Sequence, residues 1–90
     1  MTVVTLTGLL ICRDETEAAA VERHLPEHLR RTRAEPGCLA FEVTRRPGTR
    51  TWDVAERFVD ARAFAAHQQR VAESTWGAAT AGIERRYAIE

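Results

Sequence analysis

Ninety residues carry thirteen basic and thirteen acidic side chains, with 44% hydrophobic and 29% charged, a balance that describes one folded domain over residues 1–90 and excludes a disordered chain or a basic nucleic-acid-binding surface. No apolar run approaches the ~18 residues of a spanning helix, and Met1-Thr2-Val3-Val4-Thr5-Leu6 lacks the basic segment and cleavage site of a secretory signal. The expected setting is therefore cytoplasmic, with neither membrane nor nucleic acid as partner, and a domain this small gains from forming a homodimer.

Val3 to Cys12 is rich in β-branched and aliphatic residues and predicts a first strand. Asp14 stands three residues before Glu17, a helix-start pairing. In the helix that follows, Ala18, Val21, Leu25, Leu29 and Thr32 form a buried stripe, and Pro26 predicts a kink. Glu35-Pro36-Gly37 reads as the helix stop, since the residue before proline avoids helical geometry and glycine turns readily. Cys38 to Arg46 alternates, with Leu39, Phe41 and Val43 on one side; after the turn Pro47-Gly48-Thr49, Thr51 to Phe58 forms the hairpin partner. Asp60 caps a second helix reaching Val71, Ser74 to Thr80 makes a short helical piece containing Trp76, and Ile83 to Ile89 is the last strand. The order strand, helix, strand, strand, helix, strand predicts an α+β, ferredoxin-like βαββαβ fold: a four-stranded antiparallel sheet with both helices on one face.

One acid and one imidazole stand out against this pattern. Side chains alternate along a strand, so Glu56 shares a face with Trp52, Val54 and Phe58, where a carboxylate needs a partner. His67, three residues after Phe64 and four before Val71, lies on the apolar stripe of the second helix. Both point into one interior, and a carboxylate beside a histidine fixes its tautomer and leaves the other ring nitrogen to handle a substrate proton. The alternative is a satisfied polar pair that holds helix to sheet. Trp52, Phe41, Trp76 and Tyr87 are candidate walls for a flat aromatic ligand, and Arg85, on one strand face with Ile83 and Tyr87, is a candidate anion contact.

His24 and His28 are spaced for a metal, but the intervening Leu25-Pro26-Glu27 is not a zinc-protease pattern, and surface or half-buried histidines are expected. The single serine, Ser74, has no triad, and no phosphate loop or paired-cysteine metal motif is present. No resident cofactor or metal is expected. Cys12 and Cys38 read as apolar fillers rather than a disulfide.

The run Thr32-Arg33-Ala34-Glu35-Pro36-Gly37-Cys38-Leu39-Ala40-Phe41-Glu42-Val43, then Trp52-x-x-x-Glu56-x-Phe58 and Ala63-Phe64-x-x-His67, resembles the antibiotic biosynthesis monooxygenase domain over nearly the whole chain. The resemblance implies a dimeric α/β barrel and carries over Trp52, Glu56 and His67, as in the smaller quinol-oxidising relatives. It also implies a cofactor-independent monooxygenase that oxidises a small electron-rich aromatic, such as a hydroquinone or polyhydroxylated phenol, with dioxygen. The pocket Asn used by the polyketide-oxidising and haem-degrading branches has no counterpart, since the chain contains no Asn. The rival readings are a non-catalytic dimeric module that binds a small molecule and an isomerase that uses His67 as a proton shuttle.

Overall fold

The computed structural model describes residues 2–90, so Met1 of the opening run lies outside it. The elements run β1 (Val4–Ile11), α1 (Glu15–Arg33), β2 (Cys38–Arg45), β3 (Thr51–Phe58), α2 (Ala61–Ala72), α3 (Thr75–Ala79) and β4 (Glu84–Ile89). They form one antiparallel four-stranded sheet in the order β2-β3-β1-β4, the ferredoxin-like arrangement. No helix among the described residues is long and apolar enough to cross a membrane.

Local chemistry sets the helix ends. The Asp14 carboxylate accepts from the Glu17 amide at 2.9 Å, and the Glu17 side chain accepts from the Arg13 amide at 2.8 Å, so two backbone donors that the helix leaves unpaired are satisfied. Asp60 and Ser74 do the same for α2 and α3, accepting from the amides of Ala63 and Gly77. Helix α1 is assigned continuously through Pro26 and closes at Ala34. Gly37 then turns the chain with φ at 88°, a region open to glycine at little cost, and the Val59 amide donates to the Gly37 carbonyl at 2.8 Å.

The sheet buries one face. Trp52, Val54, Glu56 and Phe58 of β3 are buried, while Asp53, Ala55 and Arg57 between them are exposed. Leu6 and Leu10 of β1 join this face, as do Phe41 and Val43 of β2 and Ala18 and Val21 of α1. Each large apolar side chain sealed here contributes roughly 1.5–3 kcal/mol of burial. The alternation expected for β2 fails at its first step. Pairing shifts between Cys38 and Ala40, so Leu39 is the extra residue of an irregular step and is 52% exposed instead of joining Phe41 and Val43. Cys12 is buried and Cys38 half-buried, both as free thiols.

Candidate active site

The register places Glu56 at the centre of the sheet, opposite Leu6 on one side and Phe41 on the other. Its side chain points up into the helical layer, where α2 runs back across β3 and delivers His67. His67 Nε2 lies 3.6 Å from Glu56 Oε1, so the two side chains meet as their spacing predicts, at a distance too long for a hydrogen bond. Phe58 and Phe41 flank the imidazole, with ring centroids 4.8 and 5.6 Å from it.

A different carboxylate holds the ring. His67 Nδ1 is 2.8 Å from Glu35 Oε1. A carboxylate accepts only, so Nδ1 carries the proton and donates it, leaving Nε2 to face Glu56. The other oxygen of Glu35 accepts from Arg70 Nε, and Arg70 Nη2 donates to the buried Thr32 hydroxyl at 2.9 Å. In the sequence Glu35 belongs to a helix stop and to the family-like run; in the fold its carboxylate ties α1 to α2 and orients the imidazole. The same corner is held by Arg33, which donates from Nε and Nη2 to the Phe41 carbonyl at 3.1 and 2.9 Å.

Above the Glu56–His67 contact is a cavity of ≈ 50 Å³, lined among others by Phe41, Glu56, His67, Trp76, Arg85 and Tyr87. It holds a few water-sized molecules, well below the several hundred Å³ of a typical small-molecule pocket. An aromatic ring therefore needs the wall to yield. Six of the seven side chains singled out in the sequence line this cavity; Trp52 does not. Trp52 is 2% exposed within the core, and the Arg45 guanidinium lies over its ring at 4.7 Å. Arg85 reaches the cavity wall but commits Nη1 to the carbonyls of Thr80 (2.8 Å) and Ile83 (3.0 Å), and Nη2 to the Thr80 hydroxyl (2.8 Å). It fastens β4 to the end of α3, with two N–H groups left over.

Burial dominates the electrostatics. It pushes the Glu56 carboxyl up to about 7, with the charge of Glu35 adding to the effect. Burial lowers the pKa of His67 against an opposing pull from Glu35, and burial raises that of the Tyr87 phenol. Glu56 Oε1 is buried without a hydrogen-bond partner among the described residues. A carboxyl poised near neutrality on a cavity wall, with one oxygen uncommitted, is equipped to exchange a proton with a bound molecule.

His28 also departs from the sequence reading, which expects a surface or half-buried histidine. It is 4% exposed, stacks on Trp76 with centroids 4.4 Å apart and planes 4° apart, and lines the cavity. The signal for it was available: Val21, Leu25, His28 and Thr32 recur at four, three and four, so His28 lies on the buried stripe. Arg70 could have been found likewise, three residues after His67 on one helical face. Glu35 offered no local signal of its role.

The family model described as antibiotic biosynthesis monooxygenase matches residues 13–78. Among solved structures, SnoaB from Streptomyces nogalater, a cofactor-independent oxygenase, superposes with a TM-score of 0.80 at 12% identity, covering 100% of this chain and 92% of that one. MupZ from Pseudomonas fluorescens gives 0.79 at 19% identity, covering 97% of this chain and 66% of that one. Rv0793 from Mycobacterium tuberculosis gives 0.76 at 17% identity, covering 99% and 93%. At these identities the likeness speaks for the fold. No curated protein matches the chain by sequence.

Proposed function

Because this chain belongs to the antibiotic biosynthesis monooxygenase family, we propose that it is a cofactor-independent monooxygenase acting on a small electron-rich aromatic, a hydroquinone or polyhydroxylated phenol, with dioxygen as co-substrate. Family membership supports a monooxygenase-type function; the substrate class is the reading of the site. The observation that carries it is Glu56 Oε1, buried, without a partner, on a cavity wall and 3.6 Å from His67 Nε2.

In this reading the Glu56–His67 pair takes the proton of a phenolic hydroxyl. His67 is the base at Nε2 because Glu35 holds its Nδ1–H, and the adjacent Glu56 carboxyl shares the transferred proton. The phenolate is electron-rich and reduces dioxygen directly. For a hydroquinone, one oxygen atom is inserted into the ring to give a hydroxyquinone, and the other leaves as water with the two hydrogens removed. The protein supplies positioning and a water-poor, apolar surround in Phe41, Trp76 and Tyr87. The exposed sheet face of Thr7, Ala55 and Arg57 is the surface we assign to the homodimer, and the cytoplasm is the setting we assign to it.

Oxygen consumption over a panel of hydroquinones tests the reading, with wild type compared with His67→Ala and Glu56→Gln. Both variants lose on the order of 100-fold or more in rate; equal rates in all three sink the mechanism. Product formed equally well without oxygen identifies a proton-shuttling isomerase instead.

A further inference from the structure

A second cavity of ≈ 160 Å³ opens between α1 and the corner joining α2 to α3, lined by His24, Glu27, His28 and Arg31 on one side and by Arg70, Ser74, Thr75 and Trp76 on the other. The α1 residues recur at three and four, one stripe of the helix. His28 and Trp76 also line the first cavity, so their stack is the wall the two cavities share.

The polar groups of this cleft are unevenly satisfied. Glu27 also lines the cleft, and both of its oxygens are held by Arg30. Arg31 is exposed and has no hydrogen-bond or ion-pair partner among the described residues. Arg70 gives Nε to Glu35 and Nη2 to Thr32, and its Nη1 is buried without a partner. The His28 side chain makes no hydrogen bond among the described residues, and its Nδ1 is likewise buried and unpartnered. Native proteins pair nearly all buried polar atoms. The described residues contain three unpartnered side-chain atoms, on Glu56, His28 and Arg70, and every one belongs to a residue lining one or both of these cavities.

Two guanidinium groups without a full set of acceptors, in one cleft with an indole, match a negatively charged group attached to an aromatic ring. The cleft volume of ≈ 160 Å³ suits a six-membered ring. We infer that this cleft is a second binding site, for a small aromatic carboxylate whose anion lies on Arg31 and Arg70 Nη1 and whose ring lies against Trp76. It does not depend on the oxygenase reading, since it concerns binding alone.

Occupancy of this site is felt at His67. That imidazole is faced by Glu35, Glu56, Arg70 and His28, and the positive charge of Arg70 opposes its protonation. An anion on Arg70 screens that charge, and protonation of His67 becomes easier.

Benzoate, benzamide and acetate are titrated calorimetrically into the full chain and into Arg31→Gln, with the His67 ring followed by NMR across pH. Arg31 is exposed and unpaired, so the substitution leaves the fold intact, as the urea midpoint verifies. Benzoate binds at least ten-fold tighter than benzamide and than acetate, Arg31→Gln loses at least ten-fold for benzoate, and saturating benzoate raises the His67 pKa. The inference is overturned by benzoate failing to bind at about 1 mM, by benzamide or acetate matching it, or by Arg31→Gln binding as wild type does. None of these readouts involves turnover, so a protein that binds benzoate and consumes no oxygen refutes the proposed function while leaving this site standing.

Discussion

Glu35 and His67 stand 32 positions apart in sequence and 2.8 Å apart in space, joined carboxylate oxygen to ring nitrogen. Through its second oxygen Glu35 also holds Arg70, so one side chain just past the end of α1 fixes both the imidazole and the guanidinium of α2. Glu35→Gln removes the charge that both partners answer. Stability falls by roughly 1–3 kcal/mol, read from urea unfolding. Because Glu35 favours protonation of His67 and raises Glu56, the variant lowers the pKa of both groups, read by NMR titration.

Glu56 gives the wild type a pH dependence of definite sign. Its folded-state pKa, about 7, lies above its ordinary value of 4.5, so between these limits the folded protein holds a proton that the unfolded chain releases. The stability this provides is complete below about pH 4.5, declines as pH rises, and is gone above about 7, a total on the order of 3 kcal/mol. The measurement is the difference between wild type and Glu56→Gln in urea unfolding at pH 5 and pH 8. The variant is comparable to wild type at the lower pH and more stable at the higher one.

His28 works in the opposite direction. Burial, reinforced by the charges of His67 and Arg70, pushes its pKa down from 6.5 to about 3. It stays neutral in the fold while the unfolded chain takes up a proton below about 6.5, so stability drops as pH falls from that point toward 3, by several kcal/mol. His28→Phe keeps a ring against Trp76 and removes the proton. Its thermal midpoint between pH 6.5 and 4 declines less steeply than that of wild type.

Trp52 lies beneath Arg45 and away from the cavity, although the family likeness carried it over as a site residue. Trp52→Phe lowers stability by about 1–3 kcal/mol through lost packing and leaves the oxygen consumption of the folded protein within two-fold of wild type. A loss comparable to that of His67→Ala refutes this placement.

Gly37 carries a positive φ of 88°, and a Cβ built there lies 2.7 Å from the Ala63 Cβ and 2.9 Å from Val59 Cγ1. Gly37→Ala combines backbone strain with a clash against the start of α2, at about 2 kcal/mol or more. It also disturbs the segment that presents Glu35. The unfolding midpoint falls, and the His67 ring resonances report a loosened Glu35 contact.

Much of this was legible because it is periodic. Strand parity placed Glu56 inward and helical spacing placed His67 inward, and topology brought them together. Glu35 was different: its neighbours Pro36 and Gly37 fully account for a helix ending there, so nothing local asks for a further role, and its partner lies on another helix. At His28 the proline at position 26 and the four-residue spacing from His24 mask the stripe shared with Val21 and Thr32. Leu39 was misplaced because an irregular step breaks the two-residue period without any marker in composition.

The order β2-β3-β1-β4 also bears on how the molecule assembles. The first strand in the chain occupies an interior position, and both of its neighbours come much later, β3 after the long helix and β4 beyond α3. The β2–β3 hairpin closes over a short turn and is the natural early event, whereas β1 must wait for partners that lie some 40 to 80 residues downstream. Such long closures slow folding relative to a helical bundle of equal length.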